Sequence, residues 1–140
     1  MKIFLTGATG FIGSHFLKDC LAAGHSVTCS VRSPKQADAI RALGAAPWEG
    51  DLKNHAELSL ALAGFDVLIH AAGCRDLTAP ANLLLQSNVR LTQTLVDAAV
   101  TANVAQFIYI SAASIVMSEP AALLNVTESA PITLQAYLPY

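Results

Sequence analysis

Three glycines, Gly7, Gly10 and Gly13, stand where a short apolar run, Ile3 to Leu5, gives way to a helical pattern beginning near Phe11. Glycine is required where φ is positive, or where a side chain would stand between the backbone and an approaching ligand. A helix that starts just past such a turn directs unpaired N–H groups and the positive end of its dipole outward, which suits a pyrophosphate. Alone, the spacing G-x-x-G-x-x-G is a weak signal. Between a strand and a helix it is a dinucleotide-binding fingerprint. The other reactive residue types form no comparable group. Cys20, Cys29 and Cys74 are odd in number and lack ligand-like spacing, so they read as reduced, mostly buried thiols. His15, His25, His55 and His70 are scattered and carry no metal signature, so no metal is expected.

The elements that must position this turn alternate along the chain. Past it, Phe11, Ile12, Phe16, Leu17, Cys20 and Leu21 recur at helical spacing, and Gly24 supplies a C-terminal cap. Ser26 to Val31 is a second strand, stopped by Arg32-Ser33-Pro34, and Pro34 opens a helix reaching about Leu43. Gly44-Ala45-Ala46-Pro47-Trp48-Glu49 gives a turn and a short third strand. Asn54 is the expected N-cap of a helix carrying Leu58, Leu60 and Leu62, and Gly64 ends it. Asp66 to His70 is a fourth, nearly all-apolar strand of the kind covered on both faces in a parallel sheet. A long helix from about Ala81 to Ala102 follows, with Leu84, Val89, Leu91, Leu95, Val96 and Ala99 along its expected buried side. Phe107 to Ile110 is a fifth strand. Strand and helix in strict alternation, without a hairpin signal, predict an α/β doubly wound parallel sheet of at least five strands.

Composition narrows the partners. Hydrophobic residues make up 54% of the 140 and charged residues 13%, well below the roughly 25% usual in soluble domains. Net charge is −2 and no basic cluster exists, so nucleic acid and anionic membrane have no electrostatic footprint. The apolar run after Lys2 is too short for a signal peptide, and the run from Phe65 to Gly73 is too short to span a bilayer. A cytoplasmic protein is expected. The stretch from Ser111 to Tyr140 differs from the rest. It holds Pro120, Pro131 and Pro139, shows little periodicity, and reads as a long functional loop with one short helix near Ala121 to Leu124.

Ligands of open α/β sheets bind at the carboxyl ends of the strands. Those ends read Thr6-Gly7, Val31-Arg32-Ser33, Asp51-Leu52, His70-Ala71-Ala72-Gly73 and Ser111-Ala112-Ala113-Ser114. Together with Asn88-Val89, the terminal Tyr140 and the run Thr6-Gly7-Ala8-Thr9-Gly10-Phe11-Ile12-Gly13, this set strongly resembles the extended short-chain dehydrogenase/reductase family. Its members include epimerases, dehydratases and hydroxysteroid- or flavonoid-type reductases. The resemblance covers the whole chain. It implies a Rossmann-type NAD(P)-binding domain over residues 1–140, with residues 111–140 as an active-site loop region at its end.

The resemblance also assigns roles. Gly7, Gly10, Phe11, Ile12 and Gly13 form the cofactor-binding turn. In dinucleotide folds a carboxylate about twenty residues past the glycines binds the ribose 2′-OH, whereas a basic residue accommodates a 2′-phosphate. The family's acid would fall at Val31, and Arg32 follows it. A guanidinium grips a phosphate bidentately and Ser33 adds a hydroxyl, so NADP is preferred, with NAD the other possibility. The competing reading makes Arg32 a solvated loop residue. Asp51 matches the acidic residue that binds the adenine amino group, with the Leu52 backbone assisting; otherwise it is a helix-start residue. Ala71, Ala72 and Gly73 match the small-residue segment that lets backbone pass close to the cofactor. Asn88 matches the Asn of the central helix, a structural and proton-relay residue. Ser111 is assigned to the cofactor side. His70 is expected to point into the sheet packing, not into catalysis.

The family's chemistry uses a tyrosine as general acid/base, a lysine four residues later that lowers its pKa, and a serine or threonine that holds the substrate oxygen. An unperturbed tyrosine near pKa 10 is a poor base at neutral pH, so a cation is required. The usual serine falls at Ala112, between Ser111 and Ser114, and Ser114 is the substrate-binding hydroxyl expected here. Tyr137 and Tyr140 both qualify as the tyrosine; the preceding Pro139 favours Tyr140. The lysine would then be residue 144, or 141 for Tyr137. A further helix, a sixth strand and a small substrate domain are expected beyond residue 140, and the 140 residues alone are expected to be inactive. The implied function is an NADP-preferring oxidoreductase or epimerase/dehydratase acting by hydride transfer on a small-molecule substrate, and homodimers are frequent in the family. The alternative is a non-catalytic NADP-binding redox sensor or regulatory protein, which Ala112 keeps open.

Overall fold

The computed structural model describes residues 1–76 and 78–112, with Thr127 and Ser129. The strands are β1 (Lys2–Thr6), β2 (Ser26–Ser30), β3 (Ala46–Trp48), β4 (Val67–His70) and β5 (Gln106–Tyr109). They form one sheet in the order β3-β2-β1-β4-β5, and every pairing is parallel. The chain winds outward from β1 to β3, then returns to lay β4 on the other side of β1. That reversal between β1 and β4 is the topological switch point of a doubly wound sheet. Pro47 sits in β3, an edge strand, where a missing ladder donor is tolerated.

The helices are α1 (Phe11–Ala22), α2 (Pro34–Ala42), α3 (His55–Ala61), α4 (Ala81–Leu84) and α5 (Leu91–Thr101). Strand alternation divides the core between the two faces of the sheet. Ile3, Leu5, Val27, Cys29, Val67 and Ile69 pack with Leu17 of α1 and Ala37 and Ile40 of α2. Phe4 and Leu68 face the other way, against Leu58, Leu62, Leu95, Ala98 and Ala99. Phe4 also meets Trp48 and Phe65 edge-on, with ring centroids 5.5 and 5.6 Å away.

Local signals behave as their chemistry requires. The Asn54 side chain accepts from Glu57 N–H and caps α3, while Ser33 does the same for α2 with Pro34 at its first position. Gly24 takes φ +76° after α1, and the Gly24 and His25 N–H groups close back onto Leu21 and Cys20 carbonyls.

Several residues of the apolar helical patterns are exposed. Leu60 is two residues from both Leu58 and Leu62, which puts it on the opposite side of α3. Phe11 and Ile12 open α1 at the rim of the sheet, where Gly13 and Leu17 take the inward positions. The long helix is one continuous run, but its middle turn, Leu85–Arg90, is π-helical. Its inward line passes through Leu84, half-buried Asn88, Leu91, Leu95 and Ala98, so Val89 and Val96, one position off that line, face outward. Among the described residues, no helix is long and apolar enough to cross a membrane. The region 113–140, including the expected short helix near 121–124, lies outside the described residues, apart from Thr127 and Ser129.

Candidate functional site: a dinucleotide cleft at the switch point

The glycine turn lies where β1 ends beside β4. Gly7 has φ +75°, and a Cβ there would sit 2.6 Å from Ala72 N and 2.8 Å from the Ala71 carbonyl oxygen. Both the backbone angle and the neighbouring strand therefore demand glycine. Gly13 is demanded by packing, since its Cβ would overlap the Gly7 carbonyl and hold α1 away from the turn. Gly10 differs from both. Its φ of −82° and ψ of 171° are open to any residue, and a Cβ would meet only the Gly7 oxygen at 3.2 Å. What the fold leaves unexplained at Gly10, a ligand lying close to the backbone would explain.

The start of α1 suits an anion. Gly10 is its N-cap, so no side chain caps the helix, and its first turn contains no acidic residue. Gly10 N–H is used on the Gly7 carbonyl at 2.9 Å, but the next N–H groups have no partner within the helix. Phe11 and Ile12 are exposed beside them. These features fit the pyrophosphate of a dinucleotide.

A second part of the site lies at the ends of β2 and β3. An open cleft of about 350 Å³ is lined by Val31, Arg32, Ser33, Pro34, Glu49, Gly50 and Asp51. The Val31 side chain is buried, so it gives the cleft no polar group, and Arg32 is exposed beside it. Glu49 is bridged by Arg41 at 3.3 Å, and Arg41 also holds Asp38 at 3.0 Å. Among the described residues Arg32 makes no ion pair. Ser33 Oγ accepts from Gln36 N–H at 3.4 Å as the cap of α2, which leaves its own proton for another acceptor. Asp51 is exposed and accepts from Lys53 N–H at 2.9 Å, while Leu52 packs into the core beneath. Gln36 ties the two parts together: its Oε1 accepts from Arg32 N–H at 2.8 Å and its Nε2 donates to Thr9 Oγ1 at 3.4 Å.

The third wall is the segment after β4. Ala71, Ala72 and Gly73 run beside the glycine turn, and Gly73 is exposed. Asn88 clamps the residue that follows. Its Oδ1 accepts from Cys74 N–H at 2.7 Å and its Nδ2 donates to the Cys74 carbonyl at 2.9 Å. With its amide spent on that backbone, Asn88 acts on the cleft through the position of the Cys74 loop.

His70 is fully buried, as expected, but it is not merely packing. Its ring bonds Thr6 Oγ1 at 2.7 Å and Thr92 Oγ1 at 3.0 Å, and Tyr109 stacks on it at 5.4 Å. Burial pushes its pKa down to about 4, so it is neutral near pH 7. Sequence reasoning missed Gln36 and Thr92, and the bond from Thr6 to His70. The available signals were a polar residue ending an apolar strand at His70, and Gln36 four residues past Arg32, within reach across one helical turn.

Of the remaining site residues, Ser111 is exposed just beyond β5, while Ser114, Tyr137 and Tyr140 lie outside the described residues. Burial pushes the Cys29 thiol up to about 12 and raises Cys20, so neither is a ready thiolate. All three cysteines are free, and no metal-holding group occurs among the described residues.

A doubly wound parallel sheet with a glycine turn and an uncapped helix at its switch point is the architecture that dinucleotide-binding α/β proteins use. The comparisons with known proteins specify which. The sequence pattern of the NAD(P)H-binding family matches residues 7–139. A 4-hydroxy-2-methyl-3-oxo-4-farnesyl-3,4-dihydroquinoline-1-oxide ketoreductase from Stigmatella aurantiaca is 34% identical over 140 residues, covering 100% of this chain and 42% of the relative. A 3-beta-hydroxysteroid dehydrogenase from Mycolicibacterium neoaurum is 30% identical, covering 94% of this chain and 37% of its own. A short-chain dehydrogenase/reductase superfamily protein from Agrobacterium tumefaciens, solved with bound NAD, superposes with a TM-score of 0.80 at 25% identity, covering 100% of this chain and 40% of that one. The chain belongs to the NAD(P)H-binding family, within the extended short-chain dehydrogenase/reductases that include NAD-dependent epimerases and dehydratases. It spans less than half the length of these three relatives.

Proposed function

We propose that the chain forms the nucleotide-binding part of an NADP-preferring oxidoreductase or epimerase/dehydratase acting on a small-molecule carbinol or carbonyl. The observation that carries the NADP preference is the end of β2. A buried Val31 occupies the position of the expected carboxylate, and an exposed Arg32 faces the same cleft as the Ser33 hydroxyl and the start of α2. A guanidinium, a hydroxyl proton and a helix N-terminus all favour a 2′-phosphate. The bound cofactor would supply or accept hydride at its nicotinamide ring. The chain's residues would hold it: the first turn of α1 the pyrophosphate, Arg32 and Ser33 the 2′-phosphate, Asp51 and the Leu52 backbone the adenine. Ala71 to Gly73 would give close passage, and Ser111 would lie on the cofactor side. Ser114 would orient the substrate oxygen and Tyr140 would carry the proton. Residues 111–140 would thus be the active-site loop region, in a cytoplasmic protein. The outward stripe of Val89, Val96 and Val100 on the long helix supports a homodimer.

Titration with NADPH and with NADH tests the preference. NADPH should bind more tightly by about tenfold or more, the contribution of one charge-assisted hydrogen bond, and Arg32→Ala should remove most of that difference. Equal affinities, or tighter NADH, would make Arg32 a solvated loop residue.

A second reading, an NADP-binding redox sensor or regulatory protein without turnover, is favoured by Ala112, which stands where the resemblance puts the substrate-holding serine. The residue four places after the tyrosine separates the two: a lysine there supports catalysis, and its absence supports sensing.

A further inference from the structure

The hydroxyls and ring around His70 form a chain whose proton positions can be worked out. Thr92 Oγ1 lies 2.6 Å from the Asn88 carbonyl, which can only accept, so the Thr92 proton points there. Thr92 must then accept from His70, which places the ring proton on Nε2. In a neutral ring Nδ1 is bare, so it accepts from the Thr6 hydroxyl at 2.7 Å. Thr6 Oγ1 in turn accepts from Ala72 N–H at 3.4 Å. The order is Ala72 N–H to Thr6, Thr6 to His70, His70 to Thr92, Thr92 to Asn88. Among the described residues no buried side-chain polar atom is left unsatisfied.

Both ends of this chain hold the same short segment. Ala72 lies against Gly7, and Asn88, at the other end, clamps Cys74 from both sides. The π-helical turn carries Asn88, and such turns frequently accompany functional sites. We propose that His70, as the neutral Nε2–H tautomer, is a positioning residue for the cofactor wall. Through Thr6 and Thr92 it locks the Ala72–Cys74 segment to the glycine turn and to the long helix. This rests on the reading of the cleft as an NAD(P) site.

The test uses the whole chain and four readouts: long-range 1H–15N NMR of the His70 ring, amide exchange at Ala72 and Cys74, NADPH titration and thermal melting. In the unmodified protein, Nε2 should be protonated and Nδ1 bare. Thr92→Val removes the acceptor. It should speed exchange at both Ala72 and Cys74 and weaken NADPH about fivefold or more, the loss of one buried hydrogen bond. Thr92→Ser, which keeps the hydroxyl, should restore both. Thr94→Val is the control, because Thr94 makes the same type of hydroxyl bond, to the Arg90 carbonyl at 3.0 Å, on the side of the helix away from His70. Should Thr92→Val fail to fold, His70→Asn, which keeps an acceptor for Thr6 but cannot reach Thr92, takes its place. A ring protonated on Nδ1 overturns the proposal, as does a Thr92→Val protein whose exchange and affinity match those of Thr94→Val. If the unmodified protein bound neither NADPH nor NADH, the cleft reading itself would fall and the cofactor role with it. The ring tautomer and amide exchange would identify that outcome, since both are read without ligand.

Discussion

Gly10 and Gly13 lie three residues apart in the same turn, yet the structure gives them different duties, and a paired substitution to alanine separates them. At Gly13 an added Cβ overlaps the Gly7 carbonyl, so α1 must lift off the turn. Forced overpacking costs about 1–3 kcal/mol, partly offset by the ~1 kcal/mol that alanine gains over glycine inside a helix. The net loss, up to about 2 kcal/mol, should lower Tm by as much as several degrees. At Gly10 the backbone already lies in a region alanine adopts, and the new methyl needs only a few tenths of an ångström from the Gly7 oxygen. The gain of up to ~1 kcal/mol from a stiffer unfolded chain roughly cancels the poorer N-cap. Stability should therefore stay within about 0.5 kcal/mol of the parent, by the same balance. Binding should not. Apart from the Gly7 oxygen and its own chain neighbours, nothing lies within 4 Å of that methyl, so it fills open space at the start of α1 where a phosphate would lie. Loss of one hydrogen bond to that phosphate costs about 1.5–3 kcal/mol, roughly tenfold to a hundredfold in NADPH affinity. Denaturant unfolding and fluorescence titration give the two numbers. A Gly10→Ala protein that binds NADPH as tightly as the parent would refute the assignment of the pyrophosphate to this helix.

Other substitutions probe the remaining walls. His70 titrates from a folded pKa of about 4 against an ordinary 6.5, so its contribution is fully present above pH 6.5 and is lost as pH falls through 4. It amounts to about 3 kcal/mol, and the difference between the pH–stability curves of the parent and His70→Gln should show it between those limits. Parallel curves would contradict the buried neutral ring. Asn88→Ala removes both bonds to Cys74 and should weaken NADPH by about tenfold, measured by the same titration, because the loop loses its anchor. Leu68→Ala, in the fully buried centre of β4, should cost about 2–5 kcal/mol in denaturant unfolding while leaving the relative affinities for NADPH and NADH unchanged.

The fold was legible because its signals are local and repeated. Apolar runs bounded by Gly24, Pro34, Asn54 and Gly64 mark where strands and helices stop, and alternation of the two permits few topologies. The glycine turn, Arg32 and Asp51 could be placed at the sheet's rim from strand ends alone. What sequence could not reveal depends on three-dimensional phase. Val89 and Val96 fit an ideal helical stripe, but the inward line passes through Asn88 at the π-helical turn and leaves both outside. Leu60 reads as apolar and lies on the wrong side of α3. Phe11 and Ile12 look like core residues and sit at the rim, next to N–H groups that need open space. Nor did spacing announce that Thr6, His70 and Thr92, 64 and 22 residues apart, would share one line of hydrogen bonds. Such links follow from the register of β1 against β4, which pairs Thr6 with His70.

The proposed NADP preference rests on a 2′-phosphate held at the end of β2. The most direct measurement is calorimetric titration of the chain with NADPH, NADH and adenosine 2′,5′-bisphosphate, for the parent and Arg32→Ala. NADPH and the bisphosphate should bind the parent, NADH about tenfold more weakly than NADPH, and Arg32→Ala should bring the two dinucleotides together. Tighter binding of NADH to the parent, or an unchanged preference in Arg32→Ala, would contradict it.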